Sequence, residues 1–309
     1  EIPLRLVGSE MCIRDSTWMH QYINEMKEHE FVLWVIGANA KDKGKFVYEL
    51  PKNVVEVHEV FLDDALRLKD SGKMLHAFTE EETNSLKELM LCRRPNWEIL
   101  FRLYHDQKLN PMSFLRSEEF LNILTECCIK DYPYTPFADA FHTMRSMLLP
   151  VLYLMGSEVP KADVYHAICT GYGGLLACLG GHVYKKKVLL TEHGIYTRER
   201  EEEIIRAKWV QPAFKKQWIS FFYMLSDIIY TRAFLVSALF TNAMHAQIQM
   251  GCDKGKCRVI ENGINYERLS PIPLKEEDGW VDIGAIVRLA PIKDIKTMIY
   301  AFYELCTTR

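Results

Sequence analysis

The chain has no Cys-x-x-Cys pair, no apolar stretch as long as a membrane span and no excess of positive charge. Nine cysteines, an odd number, are scattered from Cys12 to Cys306, which argues against a disulfide framework and suits reduced thiols. Cys252 and Cys257 flank the turn 253–256, yet no nearby histidine or cysteine cluster completes a zinc set. The longest apolar runs, Met147 to Met155 and Phe221 to Tyr230, fall well short of the ~20 residues that a bilayer span needs. A basic segment with an apolar core and a small-residue cleavage site is also missing, so no secretory leader is expected and the cytoplasm is the expected compartment. Thirty-eight basic against 41 acidic side chains leave a net charge of -3, so nothing calls for nucleic acid as a partner. Any phosphate site has to be local.

What is present is a globular composition. With 309 residues and 49% hydrophobic content, the chain suffices for about two domains and a sizeable core. Residues 1–15 fit poorly with the rest, because no convincing strand and turn precede the helix pattern that starts at Ser16. The string LVGSEMCIRDS also resembles translated sequencing-adapter read-through, so 1–15 is set aside as a non-native leader. At the other end a helix pattern from Thr297 to Arg309 stops without a cap. The expectation is a fragment interrupted at both ends.

Between these ends, Trp18 to Met26 has helical spacing and Phe31 to Ile36 reads as a buried parallel strand. Lys45 to Glu49 and Val54 to Val60 are further strand candidates around the turn 51–53, either as a hairpin or at a sheet edge. Thr79 to Glu82 is a capping box that opens a helical stretch running until Pro95, and helices follow near 96–107, 117–129 and 137–155. The segment 79–155 therefore reads as a large helical insertion. Alternation then resumes: strand 163–169, helix 172–184, strand 187–192, helix 212–232, strand 234–239, helix 241–250 and strand 257–261. Such alternation predicts an α/β fold with a doubly wound parallel sheet, here spanning 16–270. A fresh strand expected at Val281, followed by a helix, begins a second Rossmann-like domain over 275–309.

In open parallel sheets ligands bind beyond the carboxyl ends of the strands. Three such places carry chemistry. Thr170, Gly171 and Tyr172 follow one strand, where glycines admit an anion or sugar to a helix start, or simply let the helix pack tightly. Glu192, His193, Gly194 and Tyr196 follow the next, with Arg198 and Arg200 within a helical turn; the charged run 198–203 also reads as a solvated helix face. Arg288 and Lys293 flank the last strand-to-helix turn, where two cations and a helix N-terminus suit a diphosphate.

Ser16-Thr17-Trp18, YELPKNVVEVHEVFLDD (48–64), LYHDQKLNPMSF (103–114), Cys169-Thr170-Gly171-Tyr172, TEHGIYTREREEEI (191–204), ENGIN (261–265) and VRLAPIKDIKTM (287–298) together resemble the family 4 glycosyltransferases of two-domain GT-B architecture, in their exopolysaccharide-synthesising branch. The resemblance covers nearly everything from Ser16 onward. It implies a retaining, metal-independent hexosyltransferase that moves a sugar from a nucleotide donor, a UDP-sugar, to a growing bacterial exopolysaccharide, with no cofactor beyond that co-substrate. Under it, His193 is the catalytic-site histidine that orients sugar hydroxyls, and Arg288 and Lys293 hold the donor diphosphate. Thr170, Gly171, Tyr172, Glu192, Gly194, Tyr196, Arg198 and Arg200 line the acceptor side of the cleft, and Asn262 with Gly263 forms the interdomain loop. Partners would be the nucleotide sugar, the polysaccharide and membrane-embedded export machinery, reached from the inner face of the membrane.

The family's glycine-rich first turn and its donor-side glutamate pair are not seen in this sequence, so little transferase activity is expected of the 309 residues alone. Other readings remain open: a GT-B transferase for lipid or small-molecule acceptors, a sugar-nucleotide epimerase, or a non-catalytic nucleotide-sugar sensor or scaffold that binds through the helical insertion.

Overall fold

The computed structural model describes residues 4–9, 16–46, 49–69, 76–287, 289 and 293–308, with only the backbone described for 4–9, 16 and 17. Two compact units divide the chain, residues 1–262 and 263–309.

Among the described residues, the first unit is built on seven parallel strands: β1 (Leu4–Ser9), β2 (Phe31–Gly37), β3 (Val54–Phe61), β4 (Val164–Ala167), β5 (Lys187–Glu192), β6 (Leu235–Ala238) and β7 (Cys257–Val259). Their order, β3-β2-β1-β4-β5-β6-β7, reverses direction between β1 and β4, which makes that junction the topological switch point of a Rossmann-like sheet. β2 (FVLWVIG) is apolar along its whole length because both of its faces are covered, as a central parallel strand requires.

One correction concerns the amino-terminal segment. Leu4–Ser9 forms a central strand, in register with Phe31–Ile36 on one side and Val164–Ala167 on the other, although no strand was expected before Ser16. β2 and β4 cannot reach each other in a parallel ladder without this intervening strand, and its short, weakly alternating sequence gave little periodic signal.

Of the hairpin and the sheet edge expected as alternatives around the turn 51–53, the structure has the sheet edge. Among the described residues of 45–49 none is a strand, Val47 and Tyr48 lying outside the described residues, and β3 runs parallel to β2 at the sheet edge. The connecting loop is tied down by polar contacts: the Gly44 N–H donates to both Glu59 carboxylate oxygens at 3.0 and 3.1 Å, and the Ala40 N–H to Asp63 Oδ1 at 3.0 Å.

Helix α1 (Ser16–Glu25) covers one face of the sheet, over Phe31, Leu33 and Ile168. Asn53 closes its carboxyl end, with Nδ2 donating to the carbonyls of Ile23, Met26 and His29 at 2.9, 3.2 and 3.2 Å, satisfying acceptors a helix end leaves open.

Between β3 and β4 lies the expected insertion: α2 (Glu80–Met90), α3 (Trp97–Phe101), α4 (Pro111–Leu115), α5 (Glu118–Asp131) and α6 (Phe137–Met155). The capping box at α2 is formed, Thr79 Oγ1 accepting from the Glu82 N–H while the Glu82 carboxylate accepts from the Thr79 N–H. α4 was not foreseen; Pro111 at its first position and the Asn110 cap, accepting from the Met112 N–H at 2.9 Å, account for it.

The opposite face carries α7 (Gly171–Tyr184) and α9 (Lys215–Arg232), while α8 (Tyr196–Arg206) and α10 (Thr241–Gln249) complete the unit. α6, α7 and α9 share one continuous apolar core with Trp34, Tyr165, Leu190 and Val236 from the strands. α8 extends the charged run that sequence reasoning gave only in part to a helix; Thr197 and Ile204 are its buried residues.

In the second unit α11 (Tyr266–Leu269) is capped by Asn265, and α12 (Ile295–Thr307) ends the described chain. Lys275 bridges Asp278 at 2.8 Å and Asp282 at 2.5 Å. The strand expected from Val281 does not form: the described residues 281–287 have no regular structure. Among the described residues of 263–309 no other strand is present to pair with it, so its backbone groups gain nothing from extension.

Candidate functional site at the carboxyl edge of the sheet

The residues following β4 and β5 converge beside the switch point. Thr170 is the residue before α7, buried, and its Oγ1 accepts from Ser226 Oγ on α9 at 2.8 Å. Gly171 takes φ +68°, a left-handed conformation that glycine adopts without strain. A Cβ on it would stand 2.6 Å from Tyr196 Cε1, so the Tyr196 ring fills the space over this helix start. Gly174 likewise packs against Ile229, where a Cβ would come within 2.9 Å of Cγ2. Both glycines thus lie in close contact with neighbouring side chains. Tyr172 is half-buried, its ring edge-on to Phe221.

Glu192 ends β5 and turns into the protein. It is 2% exposed; its Oε2 accepts from Tyr230 Oη at 2.7 Å and from Gln247 Nε2 at 3.0 Å. Burial pushes its carboxyl up to about 7, against the downward pull of the Tyr230, Gln247 and Tyr196 backbone hydrogen bonds. In this position it braces the turn carrying His193 against α9 and α10, and offers no surface to a ligand.

His193 is half-buried under the edge of the Trp18 ring, centroids 4.5 Å apart, and burial lowers its pKa, favouring the neutral imidazole. Gly194 sits against Glu199, whose Oε1 would lie 2.7 Å from a Cβ there. Arg198 is exposed. Arg200 pairs with Glu203 at 2.7 Å and lies 5.4 Å from the Tyr196 ring centroid, so its charge is engaged within α8. Asn262 and Gly263 are exposed at the division between the units. Lys293 is exposed ahead of α12, whereas Arg288 lies outside the described residues.

A second group was not singled out in the sequence. Trp18 and Tyr22 of α1 stack at 4.9 Å, and the Tyr22 ring meets His166 of β4 edge-on at 5.7 Å. His166 Nε2 is 2.8 Å from Thr191 Oγ1, Thr191 Oγ1 is 2.7 Å from Ser237 Oγ, and Ser237 Oγ donates to the Leu190 carbonyl at 3.3 Å. This polar ladder crosses β4, β5 and β6 on the face covered by α1. Register could have revealed it: His166 pairs with Leu189, two residues before Thr191, and Thr191 pairs with Ser237, so all three share a face.

Cys252 and Cys257 lie with their sulfurs 3.5 Å apart, both as buried free thiols. Among the described residues no group of three or more His, Cys, Asp or Glu side chains is placed to hold a metal ion. Nor is any helix there long and apolar enough to cross a membrane.

The chain is thus an α/β protein with an open parallel sheet, and polar and aromatic side chains gather at its carboxyl edge beside the switch point. The chain belongs to the family described as Domain of unknown function (DUF3492), which matches residues 15–255. No curated protein matches it.

Proposed function

We propose that the chain supplies the acceptor side of a retaining family 4 glycosyltransferase of GT-B architecture, nearest the Pel exopolysaccharide glycosyltransferase PelF, which transfers a sugar from a UDP-sugar to a growing exopolysaccharide. The observation that carries this reading is the position of His193: directly after β5, next to the switch point, half-buried beneath Trp18 and favoured as a neutral ring. A neutral imidazole there both donates and accepts hydrogen bonds, which suits it to orienting sugar hydroxyls rather than to attacking them. The family's domain occurs in transferases of this kind, which supports the same reading.

Arg288 and Lys293 would hold the donor diphosphate and neutralise the charge that builds on the departing nucleotide. Calorimetric titration of UDP into the protein that carries this chain tests the assignment. Replacing both by alanine should weaken UDP binding by at least tenfold, and unchanged affinity would refute their role.

A further inference from the structure

The polar ladder across β4, β5 and β6 contains one buried polar atom that the fold leaves unsatisfied. His166 is 5% exposed, and its Nδ1 has no hydrogen-bond partner among the described residues. Leaving such an atom buried and unpaired is destabilising, so it calls for an explanation.

The polar ladder determines which kind of atom it is. Ser237 Oγ donates its only proton to the Leu190 carbonyl, and therefore accepts from Thr191. Having given its own proton to Ser237, the Thr191 hydroxyl accepts from His166, so Nε2 carries the ring proton. Burial and the neighbouring His193 depress the His166 pKa to about 4, so the ring is neutral at physiological pH. Nδ1 is then left as a bare lone pair: an acceptor awaiting a donor.

Its surroundings narrow the donor. The stacked rings of Trp18 and Tyr22 cover the two histidines, Trp18 meeting His193 and Tyr22 meeting His166. Aromatic faces beside imidazole donors and acceptors, at the carboxyl edge of an open sheet, match a ligand with an apolar ring face and a rim of hydroxyls. We propose that His166 is a ligand-contacting residue of this site, its Nδ1 accepting a hydrogen bond from a hydroxyl of a bound sugar that displaces the Trp18–Tyr22 cover. The identity of the ligand as a sugar rests on the glycosyltransferase reading above. The tautomer and the missing donor do not.

The test uses the full chain with histidine labelled by 15N and two probes, UDP-glucose and methyl glucoside, in separate titrations. Without ligand, the His166 ring should show a protonated Nε2 and an unprotonated Nδ1. On saturation the Nδ1 resonance should move in the direction of an accepted hydrogen bond, with a parallel change in Trp18 fluorescence. H166Q keeps a donor for Thr191 and loses the δ acceptor, and should bind the sugar about tenfold more weakly. H166N keeps a polar atom at the δ position and should recover part of that loss. Sugar binding that leaves the His166 ring unchanged, or that H166Q does not weaken, overturns the inference while the glycosyltransferase reading stands. An Nδ1 that moves supports the inference whether or not sugar is transferred, because transfer is read separately on the protein that carries this chain. Failure of both probes to bind overturns the inference.

Discussion

The Tyr196 ring occupies the space where a side chain on Gly171 would have to stand, 2.6 Å from Cε1 to a Cβ at that position. This contact joins the two strand-end turns, one at the start of α7 and the other at the start of α8. The first turn therefore cannot change without disturbing the second.

Gly171→Ala should cost about 1–3 kcal/mol, through the left-handed backbone and the overlap with Tyr196. Urea unfolding measures it. In a Tyr196→Ala background the overlap is gone and the penalty should shrink to the backbone share, about 1 kcal/mol. An equal cost in both backgrounds would show that the ring does not press on Gly171.

Glu192 predicts a pH dependence with a definite sign. Its carboxyl is raised from 4.5 to about 7 by burial, so between these values the folded state holds a proton that the unfolded state has released. Stability contributed by this group therefore falls as pH rises from about 4.5 to 7, by a total of about 3 kcal/mol. Glu192→Gln keeps the shape without the charge. It should exceed the parent in stability at pH 8, with the difference closing below pH 5. A variant less stable than the parent at pH 8 would mean that the ionised carboxylate is better satisfied than the geometry indicates.

The cysteines separate by accessibility. Cys306 is exposed, while Cys252 is buried against Cys257 with its thiol pushed up to about 12, first by burial and then by that neighbour. Iodoacetamide at pH 8 should label Cys306 within minutes and leave Cys252 and Cys257 unmodified until denaturant is added. Mass spectrometry of the peptides reads this directly. Prompt labelling of Cys252 in the native protein would contradict its burial.

Periodicity and punctuation made much of the fold legible. β2, the capping box at Thr79, α6, α7 and the alternation from β4 to β7 follow from apolar runs, caps and turns, which are local signals. Three errors have a common physical origin in tertiary context. β1 is short and gains its strand state from neighbours on both sides, β2 and β4. Val281 to Val287 has strand-like residues but no strand neighbour among the described residues of its unit, and no strand forms there. The described residues of 45–49 follow a loop tied by Gly44 to Glu59 and Ala40 to Asp63, and none of them is a strand.

The site was legible only in part. The sequence located His193, Gly171 and Tyr196, because residues at strand ends can be placed once the strands are known. It did not distinguish Glu192, which faces inward toward Tyr230 and Gln247, from its neighbour on the outside. His166 was missed because its significance comes from strand register: Thr191 and Ser237 lie 25 and 46 positions along successive steps of the ladder.

The most direct test of the central claim is a transfer assay. The protein that carries this chain would be given radiolabelled UDP-glucose and related UDP-sugars together with an oligosaccharide acceptor, as wild type and as His193→Ala. The account predicts sugar incorporation by the wild type, a loss of at least a hundredfold in turnover for the variant, and UDP binding retained by both. Equal turnover by the two, or no incorporation from any UDP-sugar by the wild type, would contradict it.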